Sequence, residues 1–167
     1  MNELQVISLF AGTRADGEAV AEQVRVVGVV DESGSTEKPG HYRLIQSPAF
    51  VQGLASGDEI RYDQKDNSFE LIKHSGNLCI RVFARNQMQK LEENVRSKLE
   101  KLGGELDFSN DRMLVFSIHV SCGFNEIEKI LNKEVESTPD AAWFYGNVYD
   151  PKDGTTPLNW WHELDDK

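Results

Sequence analysis

From Leu78 to Val148 the apolar positions change period five times, which divides this stretch into six segments. Leu78–Ala84 alternates as a strand does, and Met88, Leu91, Val95, Leu99 and Leu102 then recur at spacings of three and four, the stripe of an amphipathic helix. Glu105–Phe108 and Met113–Val120 read as two strands around the turn Ser109–Arg112. Phe124, Ile127, Ile130, Leu131 and Val135 set a second helical stripe, and Ala141–Val148 closes the series as an aromatic-rich strand. The order strand, helix, strand, strand, helix, strand predicts a ferredoxin-like βαββαβ lobe. Asn86 with Gln89 three residues on predicts a capping box at the start of the first helix, and Gly103-Gly104 predicts its end.

Before Leu78 the chain reads as short strands separated by turn residues. Val24–Val30 is a nearly continuous apolar run, residues 31–40 form a loop by composition, and His41–Gln46 resumes as a strand. Ser47–Asp58 is a turn-rich crossover that leads into the strand Glu59–Tyr62, and Lys65-Asp66-Asn67 turns the chain back into Ser68–Lys73. Leu4–Phe10 is a further candidate strand, whereas Ala11–Gln23 reads as loop or short helix. The expected fold is α+β: a β-rich N-terminal lobe (small twisted sheet or partial barrel) packed on the ferredoxin-like lobe. The divisions are 1–76, 77–150 and an acidic, tryptophan-containing C-terminal tail, 151–167. His74–Asn77 is too short for a free linker, so the two lobes are expected to pack against each other.

Charge changes the picture more than size does. The 167 residues carry a formal net charge of −10, which disfavours nucleic acid as a direct ligand and suits a basic protein partner. Residues 77–133 are nearly neutral. Residues 134–167 hold eight acidic side chains (Glu134, Glu136, Asp140, Asp150, Asp153, Glu163, Asp165 and Asp166) against Lys152 and Lys167. No apolar run approaches the roughly 20 residues a membrane span needs, and Met1–Phe10 lacks the basic start of a signal peptide, so a cytoplasmic location without membrane contact is expected. Cys79 and Cys122 then read as reduced, largely packed thiols.

Chemistry-bearing patterns are sparse. His41, His74, His119 and His162 are scattered, and His119 and Cys122, three apart on a strand, point to opposite faces. No metal, no cofactor and no catalytic residue is assigned, because no zinc, phosphate-loop or nucleophile-elbow pattern is present. Trp143, Phe144 and Tyr145 on the closing strand read as core. Trp160-Trp161 differs, since neighbours on a regular strand cannot both face one core. Either the tail folds back with one tryptophan as anchor, or the pair anchors an interface in which Trp beside carboxylates receives Arg or Lys.

With these residues in view, the chain resembles a bacterial family of small two-lobed domains of unknown biochemical function. The resemblance rests on Tyr42-Arg-Leu44, Ser47-Pro-Ala-Phe50, Gly53-Leu-Ala-Ser-Gly-Asp-Glu-Ile60, Ser75-Gly76 followed by Leu78–Phe83, and Trp143-x-Tyr145, over about residues 24–148. It implies a β-rich lobe joined to a ferredoxin-like one and brings no active site. By analogy with other small acidic bacterial proteins, the expected function is a non-enzymatic immunity protein that neutralises a cognate basic toxin, preferentially a nuclease, of a type VI or similar antibacterial secretion system. The expected partner surface is Asp150, Asp153, Trp160, Trp161, Glu163, Asp165 and Asp166. The alternative is a small-molecule-sensing regulatory domain, and a minor third possibility is an enzyme working near His74 and Arg81.

Overall fold

Alternation carries the first part of the chain into strands. The computed structural model describes residues 3–30, 33–34 and 37–162. Strands β1 (Leu4–Thr13), β2 (Ala19–Val30), β3 (Glu37–Leu44), β4 (Glu59–Asp63) and β5 (Ser68–Lys73) form an antiparallel sheet in the order β1-β2-β3-β4-β5. Leu9, Val24, Val26, Leu44 and Ile60 line its inner face with Val51 and Leu54. Phe10 N–H donates to the Asn67 carbonyl at 2.9 Å, which draws the first strand toward the β4–β5 turn. The sheet therefore curls on itself.

Two stretches depart from the sequence reading. Ala11–Gln23 is neither loop nor helix: β1 runs to Thr13, a tight turn follows with Gly17 at φ 90°, and β2 begins at Ala19. Its small and polar residues hide the period because both faces of this outer part of the sheet remain partly solvated. β3 starts at Glu37 rather than His41, and its pairing with β2 slips between Gly28 and Val30. Pro39 lies in that slipped stretch, beyond the β3–β4 register at His41–Arg43, where its missing N–H costs no ladder bond.

The second sheet contains β6 (Asn77–Ala84), β7 (Glu105–Ser109), β8 (Met113–His119) and β9 (Ala141–Tyr145) in the order β7-β8-β6-β9, every neighbour antiparallel. Helices α1 (Met88–Lys101) and α2 (Phe124–Glu136) cover one face. The whole is a mixed α+β fold with two antiparallel sheets and two helices among the described residues, and strands predominate. Leu78, Ile80 and Val82 of β6 and Leu114, Phe116 and Ile118 of β8 pack under the helices. Cys79, Met113 and Val115, on the opposite face, meet Ala49 and Ala55. Two-sided burial explains why β8 reads as an apolar run, each fully buried aliphatic contributing roughly 1.5–3 kcal/mol.

The expected capping box does not form. The N-cap of α1 is Gln87, in the left-handed region at φ 61°, with no side-chain cap, so Asn86 falls one residue too early. The other end follows the sequence. Gly103 N–H bonds Glu100 O at 3.0 Å and Gly104 N–H bonds Leu99 O at 2.8 Å, a Schellman closure with Gly103 at φ 90°.

The connection 45–58 joins the two halves by inserting between them. The Glu22 carboxylate accepts the backbone N–H groups of Ala49, Phe50 and Val51 at 2.7, 2.8 and 2.9 Å. Asp107 accepts from Ser47 N–H at 2.7 Å and from the Ser117 hydroxyl. Asp58, fully buried, accepts from Ser75 N–H at 2.8 Å and Ala55 N–H at 3.0 Å. These carboxylates satisfy loop N–H groups that burial would otherwise leave unpaired.

Candidate functional site at the edge of the second sheet

Among the described residues β9 pairs only with β6, which leaves its other side as a sheet edge. Alternation sends Trp143 and Tyr145 to the helix side and leaves Phe144 on the opposite face, 57% exposed. α2 holds the two half-buried rings through residues one turn apart. Trp143 Nε1–H donates to Asn132 Oδ1 at 2.8 Å, and Tyr145 O–H donates to Glu128 Oε2 at 3.1 Å. The rings of Trp143 and Tyr145 stand nearly perpendicular with centroids 4.9 Å apart, and Tyr149 continues the row 6.5 Å from Tyr145.

Beyond β9 the chain turns tightly at 150–157. Tyr149 bridges to Pro157, Asp150 N–H bonds Thr156 O at 2.8 Å, and Gly154, with φ 69°, donates to Asp150 O at 2.8 Å. This turn faces α2 across the aromatic row and encloses a groove of about 570 Å³. Glu128, Asn132, Trp143, Tyr145, Tyr149, Asp150, Pro151 and Gly154 line it, and Gln52 and Phe144 close it on the side of the connection. A shallower cleft of about 270 Å³, lined in part by Phe124, Tyr149, Trp161 and His162, opens beside it and shares Glu128.

The groove brings aromatic rings and carboxylates to one surface. An aromatic ring carries negative quadrupole on its face, and the carboxylates of Glu128 and Asp150 supply formal charge at the same surface. Burial first, and then the neighbouring Glu128 charge, push the Tyr145 phenol far above its ordinary value, which keeps it a neutral donor to Glu128. Asp153, in the same turn, accepts from Thr155 N–H and Thr156 N–H, both at 2.9 Å, and from the Thr156 hydroxyl. The Thr156 bonds hold its carboxyl down at about 2.

Of the residues expected from sequence at a partner surface, Asp150 lines the groove and Asp153 belongs to its rim turn. Trp161 is half-buried in the adjoining cleft, edge-on to Phe124 at 5.1 Å and to Trp160 at 5.5 Å. Trp160 goes elsewhere: it is 5% exposed, stacks on His74 with centroids 4.5 Å apart, and donates its Nε1–H to Asn147 O at 2.8 Å. That indole pins the tail against the junction of the two sheets. Glu163, Asp165 and Asp166 lie outside the described residues.

His119 Nδ1 faces the Ser121 hydroxyl at 2.8 Å, while Cys122 Sγ–H points to Leu102 O at 2.9 Å, so the two are engaged separately. Among the described residues no three His, Cys, Asp or Glu side chains are gathered to hold a metal ion, and no helix is long and apolar enough to cross a membrane. Sequence reasoning missed Glu128, Asn132, Trp143, Phe144, Tyr145 and Tyr149 as site residues. The available signal was three consecutive aromatics on the last strand of a βαββαβ series, since that strand takes an edge.

No curated protein matches the chain. A solved structure described as a novel crystal structure of a hypothetical protein from Neisseria gonorrhoeae is similar in fold, with a TM-score of 0.61 at 18% identity, over 87% of this chain and 94% of that one. Residues 34–139 match the model of a domain of unknown function, DUF4265, so the chain belongs to that family.

Proposed function

We propose that the protein is a non-enzymatic immunity protein that binds and neutralises a basic toxin domain, a nuclease being the class whose charge complements it best. The observation that carries this reading is the β9 groove, where Trp143, Tyr145 and Tyr149 stand beside Glu128 and Asp150 in a space of about 570 Å³. That volume suits the side chain of an arginine or lysine projecting from a partner. Desolvated cation–π contact contributes about 2 kcal/mol, and the surrounding negative charge speeds encounter with a basic surface. Nuclease domains present such surfaces because they hold phosphates. The polar groups of the groove support binding rather than turnover: Trp143 Nε1–H and Tyr145 O–H are each committed to an α2 side chain.

The same proposal reads residues 77–150 as a ferredoxin-like lobe. Its support is the order β7-β8-β6-β9, antiparallel throughout, in which the first and last strands of the series lie side by side and each helix connects strands separated by one neighbour. That order is what puts β9 on an edge. Residues 151–167 then act as an acidic tail, of which the 150–157 turn supplies one wall of the groove.

Co-expression with the product of the adjacent gene tests the function. A stable complex and rescue of growth from that product's toxicity are expected. Tyr149→Ala, which removes one exposed wall of the groove, should raise the dissociation rate about thirtyfold, the equivalent of a 2 kcal/mol hot spot. A complex whose affinity is indifferent to Tyr149→Ala and Glu128→Gln together would remove the groove from the interface. Absence of both complex and rescue would refute the immunity role.

A further inference from the structure

On the far side of Phe144 from the groove lies a smaller pocket of about 230 Å³, lined chiefly by Phe50, Gln52, Arg81, Phe83, Phe144 and Tyr145. Arg81 sits in the middle of β6, opposite Val115 of β8 and Phe144 of β9, and is only 4% exposed. Its Nη2 donates to Pro48 O at 3.1 Å and to Val51 O, while its buried Nε has no hydrogen-bond partner. None of the ion pairs among the described residues includes Arg81. A guanidinium is never neutral in a protein, so this is a buried cation that, among the described residues, is held by carbonyl oxygens and the Cys79 thiol with no carboxylate within ion-pair distance. Gly146 lets the guanidinium pack directly against the backbone: a Cβ added there would fall 3.0 Å from Arg81 Cζ and 2.7 Å from Cys79 Sγ.

We infer that this pocket is a binding site for a small organic monocarboxylate with a flat apolar body. The carboxylate supplies the counter-charge that Arg81 lacks, and charge-assisted bonds to a guanidinium in so dry a setting are among the strongest available. The body of the ligand lies between the aromatic walls, of which Phe50 and Phe144 are 58% and 57% exposed and therefore leave an entrance. Volume and wall chemistry narrow the class further. A space of about 230 Å³ admits a single ring with a short acid arm. Inorganic phosphate satisfies the charge but wastes the aromatic walls, and it brings two charges to a single cation. The site shares Gln52, Phe144 and Tyr145 with the β9 groove but does not depend on the basic-partner reading.

The test is a nitrogen–proton NMR titration of the full chain with benzoate and with phenylacetate, using benzamide and inorganic phosphate as comparators. Saturable shifts are expected for the Arg81 side-chain N–H resonances and the Phe83 and Phe144 amides, with benzamide and phosphate at least tenfold weaker. Arg81 also latches the 48–51 loop, so Arg81→Gln does not separate folding from binding. Phe50→Ala and Phe144→Ala, at exposed wall positions, therefore provide the second arm and should weaken carboxylate binding at least fivefold while leaving the spectrum folded. Failure of both carboxylates to shift these resonances, equal binding of benzamide, or saturable shifts confined to other surfaces would overturn the inference.

Discussion

Asp58 gives the most quantitative prediction. Its carboxylate is buried between the two halves of the molecule, where Oδ1 accepts from Ser75 N–H and Oδ2 from Ala55 N–H. Burial disfavours the charged form and outweighs those two bonds, so the carboxyl is raised from the ordinary 3.8 to about 6. A folded-state value above the unfolded one means that the folded protein holds this proton more tightly. The stabilisation is fully present well below about pH 4, declines as pH rises, and is gone above about pH 6.5. Two units at about 1.4 kcal/mol each amount to about 3 kcal/mol. The assay is urea unfolding followed by tryptophan fluorescence at several pH values, for wild type and for Asp58→Asn, which does not titrate. Asn turns an amide donor toward one of the two N–H groups, so the variant is less stable at every pH; that offset is constant. The advantage of wild type over the variant should therefore shrink by about 2 kcal/mol from pH 4 to pH 7, the rest of the full value lying below pH 4. A pH-independent difference would show that burial does not govern the carboxyl. A difference that grows with pH would show that the N–H bonds win and hold it below 3.8.

Three further outcomes are expected. Gly76→Ala should destabilise by about 3 kcal/mol, since φ is +101° and the new Cβ would fall 2.4 Å from His119 Nε2, whereas Gly103→Ala, at φ +90° in open space, should cost only about 1 kcal/mol in chemical denaturation. Trp160→Phe keeps a ring against His74 but leaves Asn147 O without its 2.8 Å donor, and should cost about 1–3 kcal/mol by the same measurement. Cys79, fully buried with its thiol pushed up to about 11, should resist alkylation of the native protein by iodoacetamide and react only as the protein unfolds, as read by mass spectrometry.

The parts of the fold that were legible in the sequence are those where one period governs one environment. Met88, Leu91, Val95 and Leu99 recur at helical spacing, and all four are buried against a sheet. Gly103 and Gly104 end α1 because the left-handed closure needs glycine chemistry that the sequence displays. Ala11–Gln23 was illegible for the opposite reason. Glu22 occupies an inward-leaning position because its carboxylate collects three N–H groups from a loop far along the chain, and a polar residue in that register breaks the alternation. The candidate site was only half legible. Charge singled out Asp150 and Asp153, which the 150–157 turn carries, and the adjacency of Trp160 and Trp161 signalled that the two indoles differ in burial, as they do. Trp143 and Tyr145 read as core because aromatic strand residues usually are. Strand order puts them on an edge, and period alone does not carry strand order.

The central claim, that the β9 groove receives a cationic side chain, is tested most directly with the side chain alone. Arginine blocked at both ends as its acetyl and methylamide derivative is titrated into the labelled protein, with identically blocked citrulline as the neutral isostere. Trp143 Nε1–H, held by Asn132 at 2.8 Å in the groove wall, is the reporter. The account predicts a saturable shift of that indole resonance with arginine and at least tenfold weaker binding of citrulline, roughly 1.4 kcal/mol or more for the charge. An unmoved Trp143 resonance, or equal binding of arginine and citrulline, would contradict it.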